Sequence, residues 1–106
     1  MNLLINIDVD DLAAAETFHI AAFGLHTGRR FGNAAVELLG GTAAIHLLNK
    51  PAGTVGAGES LRDYGRHWTP LHCDVVVEDL DQALDHALAA GARRKIRFVT
   101  TIGAGS

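Results

Sequence analysis

The chain has 106 residues, enough for one domain whose core buries roughly two-thirds of the surface exposed by the unfolded chain. A formal net charge of −3 leaves no basic footprint for nucleic acid or an anionic membrane, and no apolar run approaches the roughly 20 residues of a membrane span. A single cysteine, Cys73, excludes an intrachain disulfide framework. With no signal-like start after Met1, a reducing, cytoplasmic location is expected.

In residues 3–9 the odd positions (Leu3, Ile5, Ile7, Val9) are apolar, while Asn6 and Asp8 are polar. That period of two predicts a strand with one face on a core and the other lining something wetter. Asp11 is the expected N-cap of a helix over 12–23, and Gly24 its stop. The apolar stripe of this helix is weak. Residues 27–31, 34–39 and 42–49 read as three further strands, turned at Gly32-Asn33 and Gly40-Gly41. Glu37 stands between Val36 and Leu38, and alternation does not decide which face it takes.

Residues 51–70 form a polar, glycine-rich connector, read as a loop without regular structure. It carries the only tyrosine, Tyr64, and the only tryptophan, Trp68. Trp68 either closes over a pocket or anchors the connector to the core. Residues 71–77 then alternate like 3–9, with Leu71, Cys73, Val75 and Val77 apolar and His72 and Asp74 among the polar positions. Cys73 is expected to be a buried small hydrophobe on the helix-facing side. Asp79 and Gln82 form a capping-box-like pair ahead of a clean stripe from Leu80 to Leu88, ending at Gly91. A last strand is expected over 93–99.

The chain therefore says nearly the same thing twice. Val9-Asp10-Asp11-Leu12 enters the first helix and Val77-Glu78-Asp79-Leu80 the second. The organisation read from this is one domain over 1–106: module one 1–50, connector 51–70 and an incomplete module two 71–106. A strand-helix-three-strand module used twice, with V-x-D-L at each helix entry, resembles the vicinal oxygen chelate superfamily, which includes glyoxalase I, the bleomycin and fosfomycin resistance proteins and the extradiol dioxygenases. The resemblance covers residues 2 to about 98. It implies an α+β fold of two βαβββ-type modules, whose curved mixed sheets enclose a cavity, with the second module lacking its last strands.

The resemblance also implies where a metal would be held in metal-using members, on the first and fourth strands of each module. Those positions fall on His72 and His46, but in module one the first-strand position is Leu4, which cannot coordinate a cation. The fourth-strand position of module two has no counterpart. Two imidazoles are too few for a catalytic zinc site, so no cofactor is expected in the single chain, with a divalent metal on His46 and His72 the alternative. Asn6 and Asp74 hold matching places in the repeat and are expected on the cavity side.

The leading functional expectation is a pocket-based, metal-free binder of a small organic ligand, of the bleomycin-resistance type, lined by Asn6, His46, Trp68, His72 and Asp74. The alternatives are a metal-dependent lyase, isomerase or dioxygenase completed by a second chain, and a degenerate non-catalytic copy. A gap where the module-two strands would lie further predicts a homodimer, strand-swapped or edge-paired.

Overall fold

The first half of the chain supplies four strands and a helix. The computed structural model describes residues 1–95. Strand β1 (Leu4–Val9) leads into α1 (Leu12–Phe23), followed by β2 (His26–Phe31), β3 (Ala35–Leu39) and β4 (Ala44–Asn49). The sheet is curved and mixed, in the order β1-β4-β3-β2, with β1 parallel to β4 and the other neighbours antiparallel. A parallel pairing of β1 with the last strand needs a crossover, and α1 together with the β2–β3 hairpin supplies it.

The caps are those the residues dictate. Asp11 is extended (φ −125°), and its Oδ1 accepts from the Ala14 backbone N–H at 3.0 Å. Gly24 takes the left-handed conformation (φ 66°), and its N–H donates to the Ile20 carbonyl at 3.0 Å. The weak stripe of α1 has a physical reason, because the helix has neighbours on more than one side. Leu12, Ala15 and Ile20 pack with Ile7, Val9 and Ile45 around the buried Leu25, Val36, Leu38 and Leu47, while Ala22 and Phe23 border a recess against α2. Apolar residues all round suit such a helix.

The connector is more ordered than its composition suggests. It contains a small hairpin, β5 (Val55–Ala57) with β6 (Ser60–Leu61). Arg62 Nε donates to Asp8 Oδ2 at 2.9 Å, the Ala52 N–H to Asp10 Oδ1 at 2.8 Å and the Tyr64 hydroxyl to the Lys50 carbonyl at 2.6 Å. Tyr64 and the hairpin, rather than Trp68, thus tie the connector to module one; Trp68 is 82% exposed.

Among the described residues the regular element of module two is its helix. In α2 (Leu80–Ala89) Asp79 Oδ1 accepts from the Gln82 N–H at 3.0 Å, and the helix lies against α1. Residues 71–77 do not form the expected strand: they pair with nothing among the described residues, and every one of them is exposed. Alternation alone does not make a strand, which requires a neighbour for its N–H and C=O groups. Cys73 is correspondingly exposed rather than buried. Val75 and Val77 do border the recess with α1 and α2, the helix side that the pattern assigns to odd positions. Residues 93–95 carry no strand, and the remainder of the expected 93–99 strand lies outside the described residues.

Candidate functional site

Three neighbouring strands carry a polar row on the sheet face away from α1. Parallel register sets Asn6 of β1 beside His46 of β4, and antiparallel register sets His46 opposite Glu37 of β3. Their neighbours in sequence, Ile7, Leu47, Ile45, Val36 and Leu38, belong to the core on the helix side. Strand alternation therefore sends Asn6, His46 and Glu37 to the open face, together with Leu4, Ala44, Leu48, Ala35 and Leu39.

Glu37 is the centre of the row. Its residue is only 7% exposed, and its carboxylate is fully engaged. Oε1 accepts from the Arg29 backbone N–H and from Arg29 Nε, both at 3.2 Å, and Oε2 accepts from the second guanidinium nitrogen at 3.0 Å. His46 Nε2 lies 3.0 Å from the same Oε2. The Arg29 guanidinium, then His46, then the Arg29 N–H hold the Glu37 carboxyl well below its ordinary range, at about 2. Bidentate pairing with a guanidinium is the strongest of these contacts. Glu37 is thus an anion, lodged where an apolar alternation left its direction open.

Strand β2 makes room for it. The β2–β3 register slips between Thr27 and Arg30, so consecutive residues there take different sides from those plain alternation predicts. Thr27 Oγ1 and Arg30 reach Glu16 of α1 at 2.6 and 2.7 Å on the helix side. Arg29 and Phe31 lie on the open face. The Arg29 guanidinium carbon sits 5.4 Å from the centre of the Phe31 ring, and the Phe31 and His46 rings are 5.7 Å apart, tilted 48°. Gly28 provides the clearance: a Cβ there would fall 2.7 Å from Glu37 Oε1 and 2.8 Å from Leu39 Cδ1.

Of the five residues expected to line the site, the fold brings Asn6 and His46 together. Trp68, His72 and Asp74 are exposed and lie outside the helices and strands. Among the described residues no hydrogen bond, ion pair or ring contact ties them to the polar row. Glu37, Arg29 and Phe31 complete the cluster in their place. The signal that could have found them is the Gly32-Asn33 turn, which folds 26–31 back on 35–39 and brings the basic strand across from Glu37; the bulge that selects Arg29 over Arg30 leaves no such mark.

The described side chains around His46 do not make a donor set for a divalent cation. Among the described residues no three His, Cys, Asp or Glu side chains are gathered as a metal site would need. Glu37, the carboxylate nearest His46, has its acceptor positions taken by Arg29 and His46, and Leu4 stands where the resemblance would require a ligand. Two recesses are also present, and neither touches the polar row. One, of about 640 Å3, lies at the start of α1 beside Asp10, Asp11, Glu16 and Arg30; the other, of about 550 Å3, lies between α1 and α2. The carboxylates of the first already serve Ala52, the cap, Thr27 and Arg30, so its chemistry is structural.

A βαβββ module whose first strand pairs in parallel with its fourth, joined to a second helix entered by the same V-x-D-L, defines the architecture of the vicinal oxygen chelate proteins. Comparison with known proteins agrees. Residues 4–101 match the glyoxalase-like domain family, and the chain belongs to it. No curated protein matches. Among solved structures the chain is similar to an integron cassette protein from the mobile metagenome of V. cholerae (19% identity, TM-score 0.61), covering 98% of this chain and 77% of that one. A counterpart from V. pseudocholerae is 18% identical, with TM-score 0.58 and 98% and 76% covered. The lactoylglutathione lyase of Agrobacterium tumefaciens is 20% identical, with TM-score 0.55 and 84% and 69% covered. At such identities the likeness is one of fold.

Proposed function

We propose that this glyoxalase-like protein binds a small organic molecule on the open face of its sheet, without a metal or other cofactor. The observation that carries this reading is the row Asn6–His46–Glu37–Arg29, with Phe31 beside it, set among Leu4, Leu39 and Leu48. A few fixed polar groups on an apolar ground are what a ligand wall requires, the apolar area supplying affinity and the polar groups orientation. His72, Asp74 and Trp68 would join this wall if residues 68–77 folded over it in the bound state.

A second copy of the chain is the proposed cover. Leu71, Val75 and Val76 are 73, 58 and 94% exposed, in a segment of strand-like alternation that pairs with nothing among the described residues. Unpaired extended backbone beside apolar side chains favours pairing with another edge, by swapping or by simple apposition. Enclosure by a partner would also exclude water from His46, which strengthens its contact with a ligand.

The reading is tested by thermal denaturation against a library of small aromatic and heterocyclic compounds, with and without added divalent metal. A concentration-dependent rise in Tm for the metal-free protein is expected, abolished in His46→Ala. A rise seen only with metal present, and lost on chelation, would replace this reading with the metal-dependent one.

A further inference from the structure

Glu37 and Arg29 bear on one property of His46 that neither recess nor fold explains: which ring nitrogen carries the proton. Glu37 Oε2 faces His46 Nε2 at 3.0 Å, and the Arg29 guanidinium binds both carboxylate oxygens. An ionised carboxylate held this way is acceptor-only, so in the neutral imidazole the favourable partner for it is an Nε2–H. The other nitrogen, Nδ1, then holds a lone pair. It has no hydrogen-bond partner among the described residues, and no buried side-chain nitrogen or oxygen there lacks one, so Nδ1 is not sealed from solvent, and His46 stands on the open face of the sheet.

We propose that Glu37, steadied by Arg29, is a positioning residue that fixes His46 in the Nε2–H tautomer and presents Nδ1 to the ligand as a hydrogen-bond acceptor. The complementary ligand group is accordingly an N–H or O–H donor, such as an amide, amine or hydroxyl, rather than a carboxylate or phosphate. This class rests on the binding reading above; the tautomer does not, since it is a property of the free protein. Outer partners that set a ring's tautomer in this way govern what the other nitrogen can do.

The test is long-range 1H–15N correlation spectroscopy of His46 in the full chain without ligand, at rising pH until the ring nitrogen shifts stop changing. The wild-type protein is expected to show a pyrrole-type Nε2 and a pyridine-type Nδ1. In Glu37→Gln, the amide oxygen is drawn to the two Arg29 donors at the Oε1 position rather than the single one at Oε2, which turns the amide NH2 toward His46 and displaces the second guanidinium nitrogen. The ring should then switch to the Nδ1–H form. Arg29→Lys, which keeps a cation beside Glu37, should leave the wild-type tautomer dominant. A pyrrole-type Nδ1 in the wild type overturns the proposal and needs no variant to be read. So does an unchanged His46 signature in a folded Glu37→Gln protein. Absence of any ligand-induced Tm rise alongside the expected tautomers would instead count against the binding function alone.

Discussion

Gly28 and Glu37 depend on each other. A Cβ at position 28 would meet Glu37 Oε1 at 2.7 Å, closer than such atoms approach, and Leu39 Cδ1 at 2.8 Å. Gly28→Ala therefore has to push the carboxylate away from Arg29 and His46 or move the strand. Overpacking of this sort costs about 1–3 kcal/mol. Chemical denaturation should show that loss, together with altered His46 resonances; an unchanged midpoint and unchanged His46 would mean the strand yields freely. Acid acts on the same carboxylate. Glu37 has a folded-state pKa of about 2, against an ordinary value of 4.5, through Arg29 first and His46 second. A depressed carboxyl stabilises the fold above its unfolded value, and that contribution fades as pH falls from about 4.5 toward about 2. Wild-type Tm should drop through this window, and Glu37→Gln should drop less; parallel curves would remove Glu37 from the account.

Elements were legible in proportion to how local their causes are. The first strand, the first helix and its two ends follow from period-two alternation, an Asp11 side chain that caps the helix and a glycine that accepts positive φ, all within a few residues of where they act. Asp11→Ala should lower stability by about 0.5–2 kcal/mol in urea unfolding. A loss within error would show that packing alone holds the start of α1. The face taken by Glu37 was not legible because it depends on the cross-strand guanidinium of Arg29, and Arg29 reaches it only through a bulge in β2. Nor was the state of 71–77, whose alternation matches β1 while β1 has β4 beside it and 71–77 has no described neighbour. The face taken by Asn6 was legible from the period of residues 3–9, whereas His46 entered through the family resemblance and is set beside Asn6 by the β1–β4 register. Arg29 and Phe31 were missed because their faces follow from an irregularity.

Among the described residues the two halves of the chain differ in packing. Module one has a closed core of Leu25, Val36, Leu38 and Leu47, whereas residues 68–77 leave Trp68, Leu71, Val75 and Val76 largely in solvent. No described helix is long and apolar enough to cross a membrane, so those residues are not part of a helical span. Burying four such side chains contributes roughly 1.5–3 kcal/mol each, which favours association. Light scattering at micromolar concentration should give twice the 11.2 kDa chain mass. A single species at 11.2 kDa with cooperative unfolding would mean the chain covers these residues itself.

Ligand recognition is proposed for the open sheet face and not for the recesses beside α1. Mapping backbone and side-chain NMR shifts while titrating members of the small aromatic and heterocyclic library separates the two locations. Perturbations are expected to centre on Asn6, Arg29, Phe31, Glu37 and His46 and to weaken in His46→Ala. Perturbations confined to Phe23, Leu80 and Ala83 between the helices, with the His46 row unmoved, would contradict it.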